Sequence, residues 1–72
     1  MTSTNIEAVT TGKVWKIEVQ AGASVQADGV VMILESMKME IPVQAPVAGV
    51  ISQILVQEGD IVEEGQTVAT LA

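Results

Sequence analysis

Apolar and polar residues alternate along most of the chain in short runs broken by glycine. Lys13-Val14-Trp15-Lys16-Ile17-Glu18-Val19 and Val50-Ile51-Ser52-Gln53-Ile54-Leu55-Val56 are of strand length. Their alternation turns one face of each run toward a core. No window repeats apolar residues at helical spacing over the ~10 residues a helix needs. Gly22, Gly29, Gly49, Gly59 and Gly65 punctuate the runs, and Pro42 and Pro46 lie near one more. The pattern predicts eight short strands, at 4–8, 13–19, 24–27, 30–36, 39–45, 50–56, 61–64 and 67–71. The residue types agree, with 12 Val and 7 Ile against 3 Leu and no Phe or Tyr, because branched side chains fit a pleated sheet and lose rotamer freedom in a helix. The fold class is all-β.

The chain also lies on itself, without a gap, at an offset of 37 residues. Gly12, Val19, Gln20, Gly22, Val25, Val31 and Leu34 then meet Gly49, Val56, Gln57, Gly59, Val62, Val68 and Leu71. Val14 and Ile17 meet Ile51 and Ile54, and Ile6 and Ala8 meet Val43 and Ala45. Residues 2–35 and 39–72 therefore read as two copies of one four-strand unit. A unit too small to bury its own face must share a core with its copy. A small all-β chain must also close or cover its sheet edges. The expected architecture is a flattened eight-strand barrel or sandwich of two halves related by a pseudo-two-fold axis. Gly22 and Gly59 are expected to supply turn geometry in both halves, and Trp15 to anchor packing on its strand.

Composition narrows the chemistry. With 72 residues there is one small domain, which buries only about 60% of its unfolded surface. Residues 1–4 are expected to be a flexible N-terminus and 5–72 the domain. The absence of His and Cys excludes Cys/His zinc sites, Ser-His-Asp and Cys-His nucleophiles and disulfides. It also fits a cytoplasmic location. Nine acids against three lysines give a net charge of −6, which argues against binding a nucleic-acid backbone, and one aromatic residue cannot build a stacking platform. The longest apolar run, Val30 to Leu34, is far below the ~20 residues that span a bilayer, and the first residues lack the basic and apolar regions of a secretory signal. Neither nucleic acid nor membrane is an expected partner. The acids around Gly59 and Gly65 read as a solvated face rather than a metal site.

What remains is the joint between the two copies, Glu35-Ser36-Met37-Lys38-Met39-Glu40. Strands on both sides leave room for a tight turn with Met37 and Lys38 at its corner. Two-residue hairpins usually place Asn or Gly there to reach positive φ cheaply; this one has neither, so the turn is kept for its side chains. The repeat puts Lys38 at one end of the domain and both termini at the other. A two-residue corner sets Glu35 opposite Glu40, a mildly unfavourable pair that Lys38 is placed to offset.

At these residues the chain resembles the biotin carboxyl carrier family, the biotinyl domains of biotin-dependent carboxylases. That family carries biotin on the lysine of an Ala-Met-Lys-Met turn, usually preceded by Glu. Glu35-Ser36-Met37-Lys38-Met39 matches, except for Ser36 in place of Ala. The resemblance extends through Ile6-Glu7-Ala8, Gly12, Val19, Gly22 and Val25 in the first half. In the second half it takes in Val43-Gln44-Ala45-Pro46, Gly49 and the stretch from Val56 to Gln66. Val9-Thr10-Thr11 stand where many members have Pro-Met before the glycine. The gapless offset leaves no room for the extra thumb loop of many bacterial acetyl-CoA carboxylase carriers. No Pro/Ala-rich linker precedes residue 6, and the initiator Met favours a free-standing carrier over an excised domain.

The resemblance implies the barrel-sandwich hybrid fold and biotin in amide linkage to Lys38, with Met37 and Met39 read by biotin protein ligase. Glu35, Ser36 and Glu40 surround the turn. It further implies a carrier, not an enzyme. CO₂ would pass from a biotin carboxylase subunit or domain to a carboxyltransferase subunit or domain, most naturally of an acyl-CoA carboxylase such as acetyl-CoA carboxylase. A lysine amine is protonated at neutral pH; with no histidine in the chain, its proton must be taken within the ligase complex. Two alternatives stay open. A lipoyl carrier shares the fold and the lysine turn but typically has Asp-Lys-Ala there. An unmodified interaction module of the same fold would leave the lysine inert.

Overall fold

The computed structural model describes residues 4–72. Among them are the eight expected strands: β1 (Thr4–Glu7), β2 (Gly12–Ile17), β3 (Ser24–Val25), β4 (Val30–Ser36), β5 (Met39–Gln44), β6 (Gly49–Ile54), β7 (Ile61–Val62) and β8 (Thr67–Leu71). They form two antiparallel four-stranded sheets, ordered β1-β8-β6-β3 and β5-β4-β2-β7. Of the N-terminal segment 1–4, residues 1–3 lie outside the described residues, while Thr4 opens β1 and pairs with Leu71.

The internal repeat organises this topology. Shifting β2 and β3 by 37 residues gives β6 and β7 to the residue. The same shift turns the order β1-β8-β6-β3 into β5-β4-β2-β7. Each sheet thus takes two strands from each half, and neither half is a sheet by itself. The bulges repeat too, between Val14 and Lys16 in β2 and between Ile51 and Gln53 in β6. So do the turns: Gly22 N–H donates to the Ile51 carbonyl at 2.7 Å, and Gly59 N–H to the Val14 carbonyl at 2.7 Å. Both glycines are left-handed, with φ of 93° and 98°, a conformation that costs glycine little.

One core lies between the sheets, built from repeat mates: Ile6 with Val43, Ala8 with Ala45, Val14 with Ile51, Val31 with Val68, Met32 with Ala69 and Leu34 with Leu71, all buried. Val56 and Val62 are buried as well, and their mates Val19 and Val25 pack against the cluster. Predicted strands 13–19 and 50–56 end two residues early in the structure, at Ile17 and Ile54. Val19 and Val56 still face inward, so their apolar periodicity reports burial from a loop. Trp15 departs further from expectation. It sits in the β2 bulge and is 49% exposed, so it does not anchor the core.

Gly12 and Gly49 are mates with different surroundings. A Cβ on Gly12 would lie 2.8 Å from the Glu35 carbonyl oxygen, whereas one on Gly49 would meet nothing closer than 3.7 Å. Gly12→Ala is therefore expected to lower stability by about 1–3 kcal/mol through forced backbone shifts. Gly49→Ala is expected to be neutral or to add up to about 1 kcal/mol. Urea unfolding of the two variants beside the parent checks the opposite signs.

Candidate functional site

The β4–β5 hairpin reaches its corner through Ser36↔Met39, one step beyond Glu35↔Glu40, as the sequence requires. Met37 and Lys38 occupy the corner with φ of 52° and 65°. Positive φ at both central residues is what a type I′ corner demands. Side chains with a Cβ lose roughly 1–2 kcal/mol each in that conformation. The cost is met by the β4–β5 ladder, which holds both arms in register. Met37 is 92% exposed and Met39 64%, so neither contributes to the core. Lys38 is exposed at the tip. The ion pair among the described residues joins Lys16 to Glu18 at 3.6 Å and leaves Lys38 out.

Met37→Gly removes the steric cost at one corner position but adds freedom to the unfolded chain. The net expectation is a gain of about 0.5 kcal/mol, measured by denaturant titration; a loss of stability would mean that the methionine side chain supports the fold.

The turn is rooted in the β5-β4-β2-β7 sheet. Gly12 lies beside the hairpin arm, where a built Cβ would make an ordinary 3.5 Å contact with the Ser36 Cβ but come within 2.8 Å of the Glu35 carbonyl oxygen, so it is the β4 backbone that keeps position 12 to glycine. Across the outer face runs the row Ile61, Lys13, Glu35, Glu40, each paired with the next across its ladder. The positive charge opposite Glu35 is therefore Lys13, and not Lys38 as the isolated turn suggested. Sequence reasoning missed Lys13 because its pairing follows from the β2–β4 register. The repeat holds the clue: the mates of Ile61, Lys13 and Glu35 are Ser24, Val50 and Ala72. The two sheets share a core plan but differ on their outer faces, and charge collects on the face below the lysine turn.

The carboxylates at the opposite end of β2 do more than face solvent. Glu58 Oε2 accepts from Ile17 N–H at 3.0 Å, and Asp60 Oδ2 accepts from Gln57 N–H at 2.9 Å. The first bond closes a backbone donor at the end of β2, and the second closes one within the turn that follows β6. Among the described residues no three His, Cys, Asp or Glu side chains converge as metal ligands.

Known proteins resemble this chain along nearly its whole length. The model of a family described as "Biotin-requiring enzyme" matches residues 2–71. A biotin/lipoyl attachment protein of Bacillus subtilis is 43% identical over 61 residues, covering 85% of this chain and 84% of that protein. A biotinylated protein TB7.3 homolog of Mycobacterium leprae is 37% identical over 68 residues, covering 94% and 96% respectively. The crystal structure of Kluyveromyces lactis urea carboxylase superposes with a TM-score of 0.94 at 35% identity. That match covers 100% of this chain and 6% of the carboxylase chain.

Proposed function

The chain belongs to the biotin/lipoyl attachment family, and on that premise we propose that Lys38 carries biotin in amide linkage and delivers CO₂ between two active sites of a carboxylase. The domain is a biotin carrier rather than a catalyst, homologous to the carrier domains of carboxylases. The observation that carries the assignment to Lys38 is the corner itself: an exposed lysine held at positive φ between two exposed methionines. A backbone chosen for ease would place Asn-Gly there.

Loading forms an amide between the Lys38 nitrogen and the carboxyl carbon of biotinyl-AMP; AMP leaves, and the ammonium gives up its proton within the ligase complex. Bound biotin supplies a ureido nitrogen that accepts and releases CO₂. What this chain contributes is position. The hairpin holds the attachment point at one end of a body 36 Å long and 17 Å across. Tethering replaces free diffusion by an effective concentration at each partner site. The exposed residues around the corner are available to biotin protein ligase and then to the biotin carboxylase and carboxyltransferase components. We assign the acceptor to the acyl-CoA class, with acetyl-CoA as the first substrate to test.

Intact mass after incubation with biotin, ATP and a biotin protein ligase tests the reading, beside a parallel incubation with lipoate and a lipoate ligase. One biotin increment and no lipoyl increment is expected. A lipoyl increment alone would assign the chain to the other branch of its family, and no increment in either arm would leave the interaction-module reading.

A further inference from the structure

With no cysteine in the chain, its four methionines hold all of its sulfur. A thiolate is the usual target of peroxide in a protein, so here two-electron oxidation falls to thioethers. Met1 lies outside the described residues. The other three belong to the lysine hairpin, and their exposure is very unequal. Met32, in β4, is fully buried, whereas Met37 is 92% exposed and Met39 64%. Oxygen transfer requires the oxidant to meet a sulfur lone pair. The two methionines beside Lys38 are open to it, and Met32 is not.

The fold separates the two environments further. Met32 pairs with Val43 and lies in the shared core, where a sulfoxide oxygen would be buried without a hydrogen-bond donor. Met37 and Met39 take no part in that core. The corner is held by the β4–β5 ladder, whose last pair, Ser36↔Met39, is joined through the backbone. Oxygen on either exposed sulfur therefore leaves the fold and the left-handed corner in place. It changes only what the surface offers, turning a flexible apolar side chain into a polar one with a strong acceptor.

Position gives this change its consequence. The exposed sulfurs bracket Lys38, one residue away on each side. A partner that closes over the Lys38 amine must cover one or both of them in the same step. With thioethers it buries apolar surface. With sulfoxides it must strip water from an oxygen that an apolar seat does not satisfy.

We propose that Met37 and Met39 form a reversible oxidation site that controls access to Lys38. Hydrogen peroxide transfers one oxygen atom to each sulfur: the O–O bond breaks, an S–O bond forms, the sulfur is oxidised by two electrons and water leaves. A dithiol reductase reverses the step, removing the oxygen as water while its own thiols become a disulfide. The site itself rests on exposure alone. Its effect on loading rests on the reading that Lys38 accepts biotin.

The unmodified chain is treated with hydrogen peroxide and the added oxygen is mapped by peptide mass. Met37 and Met39 should gain one oxygen each at a dose that leaves Met32 unaltered, with urea unfolding unchanged. Biotin uptake from a limiting amount of biotin protein ligase is then followed by intact mass. The oxidised chain should load about tenfold more slowly, because its ligase must bury an unpaired oxygen. Methionine sulfoxide reductases acting on both epimers should restore the rate. In Met37→Leu/Met39→Leu the uptake rate, fast or slow, should be the same before and after peroxide. That comparison separates the thioethers from damage at the half-exposed Trp15. Oxidation of Met32 in step with the other two, unchanged loading after oxidation, or a loss that the reductases do not reverse would each overturn the proposal. Failure of the untreated chain to load would instead overturn the carrier reading, with the oxidation map still deciding the site.

Discussion

Replacing Lys38 by arginine is expected to leave the fold intact and to abolish biotin incorporation. Arginine preserves the charge and the length of the side chain and bears the same cost at φ 65°, so the hairpin has no new reason to open. Its guanidinium does not deprotonate in proteins, and the ligase is left without a nucleophile. Lys13 and Lys16 are built-in controls. Both are exposed, but they lie along β2 rather than at a corner. Intact mass of Lys38→Arg after exhaustive ligase treatment should show no biotin increment, with unchanged urea unfolding. An increment that persisted would move the attachment point to Lys13 or Lys16, and with it the whole argument from the turn.

Much of this fold is readable from one numerical regularity. The offset of 37 residues pairs core with core and bulge with bulge. Side-chain burial and backbone conformation both repeat when a unit is duplicated around one shared interior. Local pattern places all eight strands, and the lack of Gly or Asn at the corner singles out Met37 and Lys38 in the sequence itself. Those features are local in the chain, so the sequence displays them directly.

The rest depends on which strand lies beside which. Nothing in Lys13 announces that it faces Glu35, since that pairing arises from the β2–β4 register and the bulge after Val14. Trp15 stands outside the core because alternation fails at the bulge between Val14 and Lys16, where consecutive residues can share the outer face. In the sequence the acids at 58 and 60 look like solvated charge, but Glu58 accepts from the Ile17 N–H across 41 positions, a contact that only the fold creates.

Leu34 and Leu71 turn the symmetry into a quantitative expectation. Both are essentially fully buried mates in the one core. Truncating either to alanine removes the same apolar contact and leaves a cavity, at an expected cost of about 3 kcal/mol. A domain of this size has a total stability of roughly 4–11 kcal/mol, so either change consumes a large fraction of it. The two thermodynamic penalties should be similar, because both cavities open in one shared core between repeat mates and the cost follows how far the surroundings collapse. Their functional consequences should differ. Leu34 pairs with Ile41 two positions before the Ser36↔Met39 closure of the lysine hairpin, while Leu71 pairs with Thr4 at the other end of the chain's fold. At a temperature where urea titration shows both variants still folded, Leu34→Ala should take up biotin more slowly than Leu71→Ala, because its cavity loosens the arms that hold Met37 and Lys38 at positive φ. Equal labelling rates at matched stability would mean that ligase acceptance needs only the exposed Met-Lys-Met segment, and that the strained corner serves the later transfer of CO₂ rather than loading.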